Sequence, residues 1–395
     1  MDRAIAIACA TILLAASAPT ASAQRATTLK DAYQGAFLVG AAVNDDIVMG
    51  RDSAGQRVVL QQFNSVSPEN VLKAESVNPQ PGVYTWGPAD AYVDFGLKHH
   101  LFVHGHTLVW HNQTPVWFFQ DSTGAQRPTA VVKQRLHDHI QAVAGRYAGK
   151  IDSWDVVNEV IDNDGSYRRL GWVRGIGNGD SLVTWAFQWA AQYDPHAELY
   201  YNDFNTWRPA KRDGIVRLVR MLKRQGIRID GVGMQGHWGL NYPSAQDIAA
   251  AIDSFAAAGV KVSITELDVD VLPVSKEGQI IGPVMTDPLF QLPEFKKFLD
   301  PYQKGLPPAV QKQLADRYAE IFRIFCAKRD KIERVTLWGV HDGMSWKNDR
   351  PVPGRTNYPL LFDRQRKPKP AFYAVLSVPA PQPARKTSKP LPLDR

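Results

Sequence analysis

The sequence predicts an α/β fold: a closed (β/α)8 barrel of the TIM type forming a single catalytic domain. Three observations carry this. Short apolar runs alternate with longer stretches whose apolar residues recur at three- and four-residue steps. That pattern reads as strand then helix, hence parallel strands joined by crossovers. About eight such units occupy roughly 350 residues, which suits a barrel with some long loops. The competing open, doubly wound sheet wants a glycine-rich phosphate turn after an early strand, and "LVGAAVND" lacks it.

In chain order the expected strands are FLVGAAV (37–43), FNSVS (63–67), LFVHGHTLVW (101–110), IDSWDVVNEV (151–160), ELYYNDFN (198–205), IDGVGMQGHW (229–238), KVSITELDVDV (261–271) and RVTLWGVHDGMSW (334–346). Between them, TAVVKQRLHDHIQAVAGRYAG, DGIVRLVRMLKRQG, SAQDIAAAIDSFAAAG and QKQLADRYAEIFRIFCAKRD carry helical periodicity, and several close on glycine just before the next strand. A long unpatterned stretch runs from about Leu272 to Pro307, and loops of that length are often functional.

The ends differ from the body. Residues 1–23 read as a secretory signal peptide: Arg3, an apolar stretch from Ala4 to Ala16, then Ala21-Ser22-Ala23 as a small-residue cleavage site. The catalytic domain is expected over residues 24–378. The Pro-rich, basic residues 379–395 show no apolar periodicity and are expected to be disordered. The mature protein is therefore expected to be soluble, secreted or periplasmic, and off the membrane. Cys9 falls in the signal, so Cys326 remains alone and no internal disulfide forms. Its helical context, IFRIFCAKR, suits a buried small hydrophobe.

The formal charge is +7, of which the tail contributes +3: Arg385, Lys386, Lys389 and Arg395 against Asp394. The rest is spread without a dense basic run, which argues against a nucleic-acid groove. The 11 Trp and 13 Tyr suit core filling and also stacking on sugar rings.

Active sites of such barrels lie at the C-terminal ends of the strands. The expected strands end there in HGHTLVWHNQ, NE, YYND, QGHW, TELD and WGVHDGMSW, and the loop after the second reads PENVLKAE. Alternation along a strand puts Asp155, Val157 and Glu159 on one face. It likewise pairs His104 with His106, Gln235 with His237, and Glu266 with Asp268. If those faces look inward, Glu159 and Glu266 meet in one cavity. Two carboxylates across an aromatic cleft suit glycoside hydrolysis: one protonates the leaving oxygen, the other attacks the anomeric carbon or activates water. The His104/His106 pair raises a zinc reading. It is set aside because the pair sits on the third strand, where metal-dependent barrel hydrolases usually place it on the first.

With these motifs in hand, the chain resembles glycoside hydrolase family 10, the endo-β-1,4-xylanases. SPENVLKAE, GHTLVWHNQTPVW, WDVVNEV, YYNDFN, GVGMQGHW, ITELDVD, LWGVHDGMSW and PLLFD…KPKPAF stand in the family's order over residues 28 to 377. The resemblance implies a retaining mechanism without cofactor or metal, with Glu159 as acid/base and Glu266 as nucleophile. It implies a raised pKa for Glu159. It gives Asn158 the 2-hydroxyl of the reacting sugar, and His237 the task of holding Glu266 with Asp268 behind it. Gln235, His106 and Lys73 would face that sugar, and Glu69 and Asn70 the next xylose outward. Trp110, Trp338 and Trp346 would wall the cleft, with Gln113 among the binding residues. Tyr201 and Asn202 would meet the leaving-group side. Trp346 and Lys73 would crowd a glucose hydroxymethyl group. The implied partners are xylan and xylo-oligosaccharides, bound by a monomer. Ala74 and Lys347 stand where the family often has Trp and Arg, and the loop holding MTDPLFQLPEFKKFL is longer than usual.

Overall fold

The computed structural model describes residues 26–272, 300–349 and 354–378. The expected signal and tail, and residues 273–299 of the long stretch, lie outside the described residues. Among those described, the strands in chain order are β1 Leu38–Val43, β2 Ser65–Pro68, β3 Phe102–Val109, β4 Ser153–Asn158, β5 Glu198–Asp203, β6 Gly231–Met234, β7 His237–Gly239, β8 Lys261–Asp270 and β9 Ile332–Leu337. Neighbours pair in parallel from β1 through β6; β6 then pairs with β8, β8 with β9, and β9 back with β1. The ring of eight is closed, as expected, and β7 is a short addition along β8.

The main crossover helices are α1 Ser53–Gln62, α2 Gly87–Lys98, α3 Thr129–Arg146, α4 Gly179–Tyr193, α5 Pro209–Arg224, α6 Ala245–Ala257, α7 Pro308–Ala327 and α8 Pro370–Leu376. Each buries a stripe against the strands; α5 buries Ile215, Leu218, Val219 and Leu222 at three- and one-residue steps. Local chemistry starts them. The side chains of Asp52, Asn178 and Ser244 accept hydrogen bonds from the Gly55, Ser181 and Asp247 amides at the heads of α1, α4 and α6. Such caps stabilise by about 1 kcal/mol each. Proline opens α5 and α7, where its missing N–H costs nothing. Cys326 is a buried free thiol on α7.

Strands covered on both sides read as continuous apolar runs, and every residue of β4 is buried. Where the expected strands run long, the extra residues leave the ladder. The eighth run, 334–346, becomes β9 only to Leu337. Its remainder forms 3₁₀ turns at Asp342–Met344 and Trp346–Asn348, anchored by the Asp342 amide on the Phe362 carbonyl (2.9 Å) and the Leu360 amide on the Asp342 carboxylate (2.9 Å). Gly339 there lies against Leu360, while the Trp338 amide still donates to the Leu267 carbonyl of β8 and its ring meets His106 of β3. The sixth run breaks between β6 and β7 at Gly236, whose φ of +84° favours glycine.

Candidate active site

Glu159 sits one residue past the end of β4, at φ +59°. A left-handed backbone costs a non-glycine residue roughly 1 kcal/mol and persists only where the surroundings enforce it. The expected alternation fails here. β4 carries an extra residue between Asp155 and Val157 relative to β5. Val157 therefore joins the apolar core, while the neighbours Asn158 and Glu159 both reach the cleft. Asn202 Nδ2 and Gln235 Nε2 stand 3.1 and 3.3 Å from the Asn158 amide oxygen. Gln235 also donates to Glu159 Oε1 at 2.9 Å, and Trp110 Nε1 to Glu159 Oε2 at 2.9 Å.

Glu266 projects from β8 into the same space. It accepts from Asn202 Nδ2 at 2.7 Å, and His237 Nε2 lies 3.1 Å from its other oxygen. Asp268 stands behind, 3.1 Å from His237 Nδ1. Burial opposes a charge on this imidazole, but Asp268 and then Glu266 raise its pKa to about 9. His237 is thus a cation at neutral pH, with one carboxylate fixing it and the other held by it. A chain of side chains, Glu159–Gln235–Asn158–Asn202–Glu266, joins the two glutamates.

Glu159 departs from expectation. Burial pushes its pKa up, but charge on His111, hydrogen bonds from Gln235 and Trp110, and Arg168 pull it down, and the balance lies below the ordinary glutamate value. His111 Nε2 and Arg168 Nη1 are each 4.0 Å from Oε2. Burial lowers the pKa of His111 itself, so its charge fades toward neutral pH and the restraint there falls to Arg168, Gln235 and Trp110.

Along the rim the side chains contact one another. Lys73 Nζ donates to Asn70 Oδ1 (2.9 Å) and Gln113 Oε1 (2.7 Å) and lies 4.9 Å over the Trp110 ring. Glu69 is the half-buried neighbour of Asn70, on the loop leaving β2. His106 meets Trp338 edge-on at 5.3 Å, and His237 meets Trp346 at 4.9 Å. Trp346 Nε1 donates to Asp268 at 2.9 Å. Lys347, at the departure from the family pattern, stands 3.6 Å from both Asp268 and Asp270.

Two expected residues are placed elsewhere. Asn202 is fully buried between Asn158 and Glu266, with Thr265 donating to its oxygen at 2.6 Å; it braces the carboxylates and does not face a leaving group. Tyr201 is fully buried too. Its hydroxyl binds backbone amides behind Glu159, away from the cleft. Adjacent strand residues point to opposite faces, so Tyr201 and Asn202 never shared a side. Residues missed from the sequence include Asp155, whose Oδ2 lies 3.0 Å from His104 and 2.9 Å from His106. Alternation had put those three on inward faces, which was the available signal. His111 and Arg168 carried none beyond their neighbourhood. Among the described residues, His106, Asp155 and Glu266 bring ligand atoms within 4.8 Å of one another, close enough for a cation. Asp155 there is already shared by two imidazoles.

A closed barrel with two buried glutamates braced across an aromatic-walled cleft defines a glycosidase-type site. The sequence profile of glycosyl hydrolase family 10 matches residues 28–378. An endo-1,4-β-xylanase A of Xylanibacter ruminicola is 44% identical over 91% of this chain and 95% of its own length. The endo-1,4-β-xylanase of Geobacillus stearothermophilus is 39% identical over 89% and 98%. Among solved structures, a family 10 endoxylanase from a sugarcane soil metagenome superposes with a TM-score of 0.81 at 42% identity, covering 89% of this chain and 99% of that one. The chain belongs to glycosyl hydrolase family 10.

Proposed function

We propose that this protein is an endo-1,4-β-xylanase that cleaves internal xylosidic bonds by retaining double displacement. The family and the xylanases at 38–44% identity over most of the chain support the activity. The observation that supports the mechanism is the braced pair: Glu266 held between Asn202 and the His237 cation, Glu159 facing the same cleft. Glu266 attacks the anomeric carbon while Glu159, which must first take up a proton against the pull of Gln235, Trp110 and Arg168, gives that proton to the departing oxygen. The resulting glycosyl ester removes the negative charge from Glu266. Glu159, now a carboxylate, takes a proton from water, which attacks the same carbon and frees Glu266. In this reading Asn158, beside Glu159 in the same cleft, takes the sugar 2-hydroxyl.

Glu266→Ala should lower xylan turnover at least about 1000-fold, and proton NMR of the wild-type reaction should show the β-anomer as the first product. Undiminished turnover or an initial α-anomer rejects the mechanism. Rates on xylan, glucan and mannan side by side rank the substrates. We further propose export, supported by the charged, apolar and small-residue segments of residues 1–23. N-terminal sequencing of the exported protein should begin at Gln24; a start at Met1 excludes cleavage.

A further inference from the structure

Behind Glu159, on the side away from the cleft, lies a buried polar cluster that the chemistry above does not use. Tyr201 and Asp203 on β5 and Lys211 on α5 are each 0% exposed. The Tyr201 hydroxyl accepts from the Val160 amide at 3.1 Å and the Ile161 amide at 3.0 Å. It donates to Asp203 Oδ2 at 2.5 Å. Asp203 Oδ1 accepts from the Phe204 amide at 2.9 Å and lies 2.7 Å from Lys211 Nζ, which sits 3.8 Å over the Phe204 ring. The Glu159 amide itself donates to the Asn202 carbonyl at 2.9 Å.

Three successive amides, those of residues 159, 160 and 161, therefore point at β5 and are met there. A hydroxyl has one proton and two lone pairs. With both lone pairs taken by amides, its proton must go to Asp203, so the donors run one way, backbone into Tyr201 and Tyr201 into Asp203, with the Lys211 ammonium ion-paired to the same carboxylate. Nothing in this arrangement touches a sugar. It grips the turn that sets where the Glu159 carboxyl stands. We propose that Tyr201, Asp203 and Lys211 are positioning residues for the catalytic acid, holding the left-handed turn at Glu159 so that its carboxyl meets the leaving oxygen.

This rests on Glu159 being the acid/base, and the test separates the two. A dinitrophenolate leaves without protonation, whereas a sugar alkoxide does not. Tyr201→Phe should lower kcat on xylan by at least about tenfold, a fraction of what general acid catalysis contributes, with KM little changed. The same variant should keep its kcat/KM for 2,4-dinitrophenyl β-xylobioside within about twofold, and azide should accelerate its turnover of that substrate. Lys211→Met, which keeps the Tyr201 ring and hydroxyl, should show the same split more weakly, and it carries the test if Tyr201→Phe does not fold. Glu159→Ala should show the split at its largest. Equal losses on both substrates in the folded variants, or no loss on xylan, overturn the positioning role while Glu159→Ala still splits. Absence of the split in Glu159→Ala removes the acid/base reading beneath it.

Discussion

Glu159 and Glu266 are both buried, yet they are treated differently. Glu266 is held by a cation, His237, and an amide, Asn202. Glu159 is held by neutral donors at bonding distance and by a guanidinium at 4.0 Å. That difference makes Arg168 a lever on protonation. Removing a nearby cation destabilises the carboxylate, so Arg168→Gln should raise the Glu159 pKa and move the basic limb of the kcat/KM–pH profile upward. A limb that stays put or moves down rules out this coupling. Glu266, His237 and Asp268 lie in strand-end motifs and meet as the alternation of those strands suggests, whereas Glu159 reaches the cleft through the extra residue in β4 and Trp346 from a 3₁₀ turn. Tyr201 and Arg168 were not legible in the sequence. Reading Tyr201 required knowing which way β5 faces, and Arg168 arrives from a loop whose path no local pattern encodes.

The strands were legible because parallel barrel strands are apolar throughout, and the expected runs overlap each strand of the ring. Their ends were not, because burial by a covering loop produces the same apolar signal as burial in a ladder. The 340–346 segment, tied to residues 360–362 through Asp342, is an instance. Irregularities inside strands were equally silent: the extra residues in β3 and β4 decide which side chains look inward. Contacts between elements were also hidden. The loop after β4 lies so close to α5 that a Cβ on Gly214 would come 2.6 Å from the Gly165 carbonyl oxygen and 2.8 Å from its Cα. Those are backbone atoms, so the loop itself must move. Gly214→Ala should therefore destabilise by about 1–3 kcal/mol and also reduce xylan turnover, since this loop continues directly from Glu159. Urea midpoints and kcat measured together check it; an unchanged midpoint refutes the close packing.

At the scale of the whole molecule, stability and active-site charge are linked through His237. Its pKa is raised in the fold from 6.5 to about 9. A raised pKa means that the folded state holds the proton more tightly. The contribution is complete below about pH 6.5 and is lost as pH rises toward about 9. The urea midpoint should thus decline across that window, and Asp268→Asn, which removes the partner with the larger effect, should flatten the decline. A wild-type midpoint that is constant or rising there contradicts the linkage. No helix among the described residues is long and apolar enough to cross a membrane.

The pairing of β9 with both β1 and β8 has a consequence for how the molecule comes into being. Until the last strand docks, the first and the eighth each present a naked row of amides and carbonyls, the kind of border that recruits stray chains. The indoles of Trp338 and Trp346 arrive with that same closing segment. A polypeptide halted before residue 332 would be both adhesive and inert, so hydrolytic power waits on the strand that shuts the ring.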